Sequence, residues 1–294
     1  MKTLRGTGIA IVTPFTESGS IDFPVLERLI EHWIAGGVEY LVVMGTTGES
    51  ATLEKEEKVQ LFDFCAEKIA GRVPLVVGIG GNHTDAVIKN FGLFDLSKAS
   101  AILSVSPYYN KPNVAGLSAH FGAVAQKSPL PVILYNVPSR TGSNMPVEVT
   151  LKLAKQYPGI IGIKEASGNL EQISQIIKDR NPDFLVISGD DNLTLPILAG
   201  GGDGVISVVA NAYPRPFSDM VRLCLKGDFA AARALHYHLF DFTKLLFADG
   251  SPGGVKTALD EMGFGTDHVR LPLAKPGDAV ATAIRSFVRS NPNR

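Results

Sequence analysis

Ile160-Ile161-Gly162-Ile163-Lys164-Glu165 is an apolar, β-branched run that closes on two charges. Pro158-Gly159 precedes it and Ser167-Gly168 follows it, so turn residues bound it on both sides and it reads as a buried strand. Nothing in such a strand requires Lys164. Burial disfavours the ammonium form, so a lysine here is either paired with a carboxylate or held neutral. A neutral lysine is a nucleophile towards carbonyl carbon. The plainer reading is a lysine at a strand end whose charge snorkels into solvent.

Seven further runs of the same kind lie on either side. They cover Gly8–Phe15, Tyr40–Thr47, Val73–Gly81, Ala101–Tyr109, Pro131–Pro138, Phe184–Asp191 and Gly204–Asn211. Between them, Ile21–Ala35, Glu54–Ala70, Pro146–Gln156 and Asn169–Lys178 repeat apolar residues at three- and four-residue steps, as helices do. Strands alternating with helices imply parallel pairing and right-handed crossovers. Eight such units predict an α/β fold of the closed (β/α)8 or TIM barrel type. A doubly wound open sheet is the alternative, but no GxGxxG follows the first run, and Gly80-Gly81-Asn82 lacks that spacing. After Pro216 only helical patterns remain, over Phe217–Lys226, Phe229–Phe247, Val255–Met262 and Asp278–Arg289. The barrel is therefore expected over residues 1–226, with a helical appendage at 227–294 packed on it.

Composition narrows the function. The 294 residues are 45% hydrophobic and 19% charged, with a net charge of −1, which supplies no basic patch for nucleic acid or an anionic membrane. Cys65 and Cys224 form no CxxC motif, no apolar signal core opens the chain, and no apolar stretch is long enough to span a bilayer. A reducing cytoplasm is the expected compartment. His236 and His238 would point to different helix faces, His83 reads as a turn residue, and no metal site is expected.

In a barrel of this type chemistry gathers at the C-terminal strand ends. Those ends read Gly45-Thr46-Thr47-Gly48-Glu49-Ser50, Pro107-Tyr108-Tyr109-Asn110, Tyr135-Asn136-Val137-Pro138-Ser139-Arg140-Thr141-Gly142, Lys164-Glu165-Ala166-Ser167-Gly168, Ser188-Gly189-Asp190-Asp191 and Gly204-Val205-Ile206-Ser207. Lys164 could condense with a ketone, and the protonated imine would then draw a proton from the neighbouring carbon. Tyr135 could carry that proton, because a phenol both donates and accepts. Thr46 and Thr47 offer hydroxyls and turn amides to a carboxylate, and Arg140 offers a planar fork. This set suits a lysine-dependent aldolase or synthase acting on a 2-oxo acid. Each motif alone has a plainer meaning: the glycine–threonine stretch a turn with an N-cap, Tyr108-Tyr109 packing, Arg140 a solvated charge, Asp190 and Asp191 helix caps.

Taken together, Gly8–Phe15, Gly45–Leu53, Tyr135–Gly142 and Gly162–Gly168 resemble the dihydrodipicolinate synthase and N-acetylneuraminate lyase superfamily, and most of all its dihydrodipicolinate synthase branch. The resemblance implies condensation of pyruvate with L-aspartate-4-semialdehyde to 4-hydroxy-tetrahydrodipicolinate, the entry to lysine through diaminopimelate. It implies that Lys164 forms the imine, and that Tyr135 relays protons with Thr46 and with Tyr109 from a neighbouring subunit. Thr47 and the Ile206 backbone would hold pyruvate, joined by Gly189, and Arg140 would hold the carboxylate of the aldehyde. No cofactor and no metal are implied, and the family is commonly a homotetramer built as a dimer of dimers. Sugar-acid lyases of the same superfamily share the lysine, the tyrosine and the glycine–threonine turn, but tend to lack an arginine at the position of Arg140. A non-catalytic 2-oxo-acid sensor on the same barrel is the reading from a different class.

The resemblance also bears on free lysine, which inhibits some members of the family at a dimer interface near Ala51–Lys58 and Gly80–Ala86. Ala51, Asn82 and Tyr108 could frame such a site here. Ala86 stands where lysine-sensitive members carry a glutamate, and Lys55 and Lys58 replace neutral side chains, so weak or no inhibition is expected.

Overall fold

The computed structural model describes residues 4–265 and 267–292. Its eight strands are β1 (Gly6–Ala10), β2 (Tyr40–Val43), β3 (Leu75–Gly78), β4 (Ala101–Val105), β5 (Val132–Asn136), β6 (Ile160–Glu165), β7 (Leu185–Ser188) and β8 (Gly204–Ser207). Each pairs in parallel with the next, and β8 pairs with β1, closing the barrel. All eight expected runs are present, and the open sheet is excluded. The strands stop short of the runs' C-terminal ends, where residues such as Gly45-Thr46-Thr47, Tyr108-Tyr109 and Gly189-Asp190-Asp191 leave the ladder.

A helix follows every strand: Phe23–Ala35, Lys55–Ile69, Thr84–Asn90, Val114–Lys127, Val147–Gln156, Leu170–Asp179, Thr194–Ala199 and Pro214–Leu225. Their starts carry chemical signals. Asp22 accepts a hydrogen bond from the Val25 amide, and Asn113 and Asn169 cap in the same way. Glu54 and Glu57 form a reciprocal capping box. The helices after β3, β4 and β7 have weaker patterns. Thr84–Asn90 and Thr194–Ala199 are short, and Val114–Lys127 is rich in alanine and glycine. His83 caps the first of these by accepting from the Ala86 amide through Nδ1. A single helical turn, Pro138–Thr141, directly follows β5, and Phe229–Phe247, Gly253–Glu261 and Asp278–Ser290 follow the barrel. His236 is buried and His238 exposed on the first of them, and no group of His, Cys, Asp or Glu among the described residues could hold a metal ion.

Two apolar layers result. Tyr40, Val42, Val76, Leu103, Ile133, Ile187 and Ile206 fill the barrel interior, while Ile9, Leu41, Val77 and Ile102 face the helices. Gly8 leaves room for the Tyr40 ring, since a Cβ there would lie 2.2 Å from it. β6 departs from strict alternation. Val132 pairs with Ile160 but Ile133 pairs with Gly162, so β6 carries one extra residue at a bulge. Ile161 packs with the interior and Ile163 with the helices. Alternation continued from Ile161 would turn Glu165 inward and Lys164 outward. The bulge reverses this and delivers Lys164 to the lumen.

Candidate active site

Lys164 and Tyr135 are register partners across β5 and β6. The lysine is only 5% exposed, and its Nζ lies 4.4 Å from the centroid of the Tyr135 ring. Gly189, at the end of β7, makes space for it: a Cβ there would lie 3.1 Å from Lys164 Cε and 2.6 Å from Ala166 Cβ. The Gly189 amide donates to the Glu165 carbonyl at 2.8 Å, which fixes that approach.

Glu165, next in sequence, is not the partner of Lys164. It points to the opposite face of β6. Its carboxylate accepts from Asn136 Nδ2 at 3.0 and 3.2 Å, from the Ser167 amide at 2.9 Å and from Gln172 Nε2 at 2.9 Å. Burial raises its pKa, and those hydrogen bonds oppose the rise. Among the described residues no carboxylate pairs with Lys164, so the snorkelling reading and the paired reading both fail. The lysine ends against an aromatic face inside the barrel.

A cavity of about 690 Å³ opens at this end. Thr46, Tyr135, Val137 and Arg140 line it, and so do Ala51, Lys55, Lys58 and Tyr108. Arg140 is exposed on a short helix, Pro138–Thr141, and has no carboxylate partner among the described residues. Thr47 is buried, 4% exposed, behind Thr46. Two turn hydrogen bonds shape this stretch, from the Gly48 amide to the Gly45 carbonyl at 3.1 Å and from the Glu49 amide to the Thr46 carbonyl at 3.0 Å. Ile206 is buried near the end of β8, paired with Gly8. Of the expected site residues, Thr46, Tyr135 and Arg140 line this cavity, whereas Lys164, Thr47, Gly189 and Ile206 do not, and Tyr109 projects away from the chain. It is 89% exposed and held in a left-handed conformation, φ 71°. Asn82 clamps its loop, donating to the Tyr108 carbonyl at 3.1 Å and accepting from Asn110 at 2.9 Å.

Asp190 caps the turn after β7, accepting from the Asn192 and Leu193 amides. Asp191 does something else. It is buried, and its Oδ2 accepts from the Val208 and Val209 amides at 3.0 and 3.3 Å, tying the β7 loop to the end of β8. Burial raises its pKa to about 6.

The motif reading passed over Glu49 and Lys256. Both are almost wholly buried, and they form an ion pair. Burial pulls the Lys256 pKa down to about 8, against the favourable charge of Glu49. The signal was available: Gly253-Gly254-Val255-Lys256-Thr257-Ala258 places a lysine in an apolar stretch, as Ile163-Lys164 does.

Residues 3–290 match the sequence model of the Dihydrodipicolinate synthetase family. The chain is 48% identical to the 4-hydroxy-tetrahydrodipicolinate synthase of Flavobacterium psychrophilum, over 98% of this chain and 99% of that one. It is 45% identical to the enzyme of that name from Parabacteroides distasonis, over 97% of this chain and 96% of the other. The crystal structure of dihydrodipicolinate synthase from Aquifex aeolicus superposes with a TM-score of 0.94 at 40% identity, covering 98% of each chain.

Proposed function

The chain belongs to the dihydrodipicolinate synthetase family, and on that premise we infer that it condenses pyruvate with L-aspartate-4-semialdehyde to 4-hydroxy-tetrahydrodipicolinate, the committed step towards lysine. The observation that carries this reading is the approach of Lys164 Nζ to the ring of Tyr135, which lines a cavity together with Thr46 and Arg140.

Lys164 Nζ adds to the carbonyl carbon of pyruvate, and water leaves to give a protonated imine. The imine withdraws electrons from the neighbouring methyl carbon, which loses a proton and becomes an enamine. The Tyr135 hydroxyl accepts and returns protons in these steps, with Thr46 and Tyr109 of a neighbouring subunit as the other members of the relay. Thr47, the Ile206 backbone and the space at Gly189 hold the pyruvate end. Arg140, unpaired at the rim, takes the carboxylate of the aldehyde as a charge-assisted pair. The enamine carbon attacks the aldehyde, and the amine of the condensed substrate then displaces Lys164 from the imine carbon, closing the ring and freeing the lysine. The synthase reading rests on Arg140 over the sugar-acid lyases, and on the lysine–tyrosine pair over a non-catalytic sensor.

The exposed Tyr109 supports a homo-oligomer, a dimer at least and a homotetramer in the fullest form, in which each site borrows a tyrosine. The two free, buried cysteines fit a reducing cytoplasm. No described helix is long and apolar enough to cross a membrane.

The test is borohydride reduction in the presence of pyruvate, followed by peptide mass analysis. The reduced pyruvyl group should appear on the peptide that contains Lys164. A label on another lysine, or near-normal turnover by Lys164→Ala, refutes the assignment.

A further inference from the structure

We propose that Glu49 and Lys256 are positioning residues: their buried ion pair fastens the Gly45–Glu49 turn to the C-terminal helices and so sets the Thr46–Thr47 surface against Lys164. The proposal rests on the reading of Lys164 as the imine-forming residue.

The connection to the site is short. The Glu49 amide donates to the Thr46 carbonyl, and the Gly48 carbonyl accepts from Thr13 Oγ1 at 2.7 Å. Glu49 itself is not glycine, yet it sits in the left-handed region, φ 53° and ψ 34°. A side chain holds such a backbone only where its surroundings over-determine it. Here both carboxylate oxygens are occupied. Oε1 accepts from Lys256 Nζ, and Oε2 accepts from the Arg270 amide at 3.0 Å.

The far side is equally constrained. Lys256 Nζ also donates to the His268 carbonyl at 2.9 Å and lies 4.2 Å from the centroid of the Phe15 ring. The Arg270 guanidinium stacks on the same ring at 4.3 Å. It donates further to the Thr52 carbonyl at 2.9 Å and to both Glu57 carboxylate oxygens at 2.7 and 2.6 Å. Pro272 and Leu273, just beyond, line the same cavity as Thr46 and Arg140. One network thus holds both the turn and part of the cavity wall.

A buried ion pair is weak ground for stability, because desolvation offsets most of its attraction and an uncharged pair of similar volume is often no worse. That is the reason for assigning this pair to geometry, and it also supplies the test. Glu49→Gln/Lys256→Met removes both charges without leaving either unpaired. Borohydride trapping of pyruvate on Lys164 is measured across pyruvate concentration, alongside thermal melting. The double variant should melt near the wild type yet need about ten to a hundred times more pyruvate for half-maximal trapping, the order of loss that a misplaced positioning group causes. Trapping at the wild-type concentration by the folded double variant overturns the proposal. If the double variant does not fold, Glu49→Asp keeps both charges and shortens the tether by one carbon. It should raise the half-saturating pyruvate in the same direction, and an unchanged value overturns the proposal. Wild-type protein that is not trapped at Lys164 would instead refute the Schiff-base reading, so the two failures are distinguishable.

Discussion

Lys164 Nζ rests 4.4 Å from the Tyr135 ring centroid, while Glu165, its neighbour in sequence, lies on the other face of the strand. Lys164 and Tyr135 therefore share one register position of adjacent strands, and the nearest acid in sequence is walled off. Glu165 works from behind. It binds Asn136, which follows Tyr135, and Ser167 and Gln172 beyond the strand end, so it braces both strands where Tyr135 and Lys164 project.

Arg140 provides a direct check on the second substrate. A charge-assisted pair to a carboxylate contributes roughly 1.5–3 kcal/mol. Arg140→Ala should lower kcat/KM for aspartate-4-semialdehyde by about ten- to a hundredfold at that strength, with pyruvate trapping at Lys164 nearly intact. Equal use of the aldehyde by mutant and wild type would remove the ground for preferring the synthase over the lyases.

Tyr109 tests whether the site is shared. Mixing inactive Tyr109→Phe with inactive Lys164→Ala subunits should restore activity, because a hybrid dimer contains one site with both residues intact. Separation of the mixture by size should place the recovered activity in the dimer or larger fraction. A folded monomer with full turnover is the opposing result.

Free lysine should inhibit weakly or not at all. Lys55 and Lys58 line the cavity, and Glu49, the one acid among the described residues that line it, is committed to Lys256. Ala86 is exposed and uncharged. A unit-charge contact at about 4 Å is worth roughly 1 kcal/mol in water and about 4 at an effective dielectric near 20, so losing an attraction and gaining repulsion costs two decades of affinity or more. Calorimetry with L-lysine and an inhibition curve measure this. Half-inhibition below about a millimolar, or more than about 4.1 kcal/mol of binding, contradicts the charge argument.

Asp191 makes a prediction in pH. Burial is the main cause of its rise to about 6, Asp190 adds to it, and the Ser207 hydroxyl and the Val208 and Val209 amides oppose it. The folded protein therefore keeps a proton there that the unfolded chain has already released between about pH 4 and 6. Stability falls as pH rises through that window, by roughly 3 kcal/mol at most. Asp191→Asn removes the titration, so denaturant midpoints at about pH 4.5 and 7.5 should differ less in the variant than in the wild type. An unchanged difference would show that the carboxyl is not perturbed.

Much of the molecule is written locally. Phe229–Phe247 begins and ends at the residues its apolar spacing indicates, and Gly45–Ser50 and Tyr135–Gly142 lie at strand ends as their turn residues imply. The helices after β3, β4 and β7 were harder to read, because short or alanine- and glycine-rich segments carry little contrast between their two faces.

The sequence by itself determined eight strands with alternating helices, and a lysine, several hydroxyls and an arginine at their ends. These follow from periodicity, turn chemistry and residue type, which act over a few positions. Tertiary structure alone decided where the side chains point and what they meet. The extra residue in β6 turns Lys164 inward only because β5 fixes the register on either side of it. Glu49 finds Lys256 207 residues away, and that pairing exists only once the C-terminal helices pack against the barrel. Tyr109 is 89% exposed, and no described residue of its own chain covers it. Register, long-range charge pairing and the completion of a site depend on neighbours distant in sequence, and no local pattern encodes them.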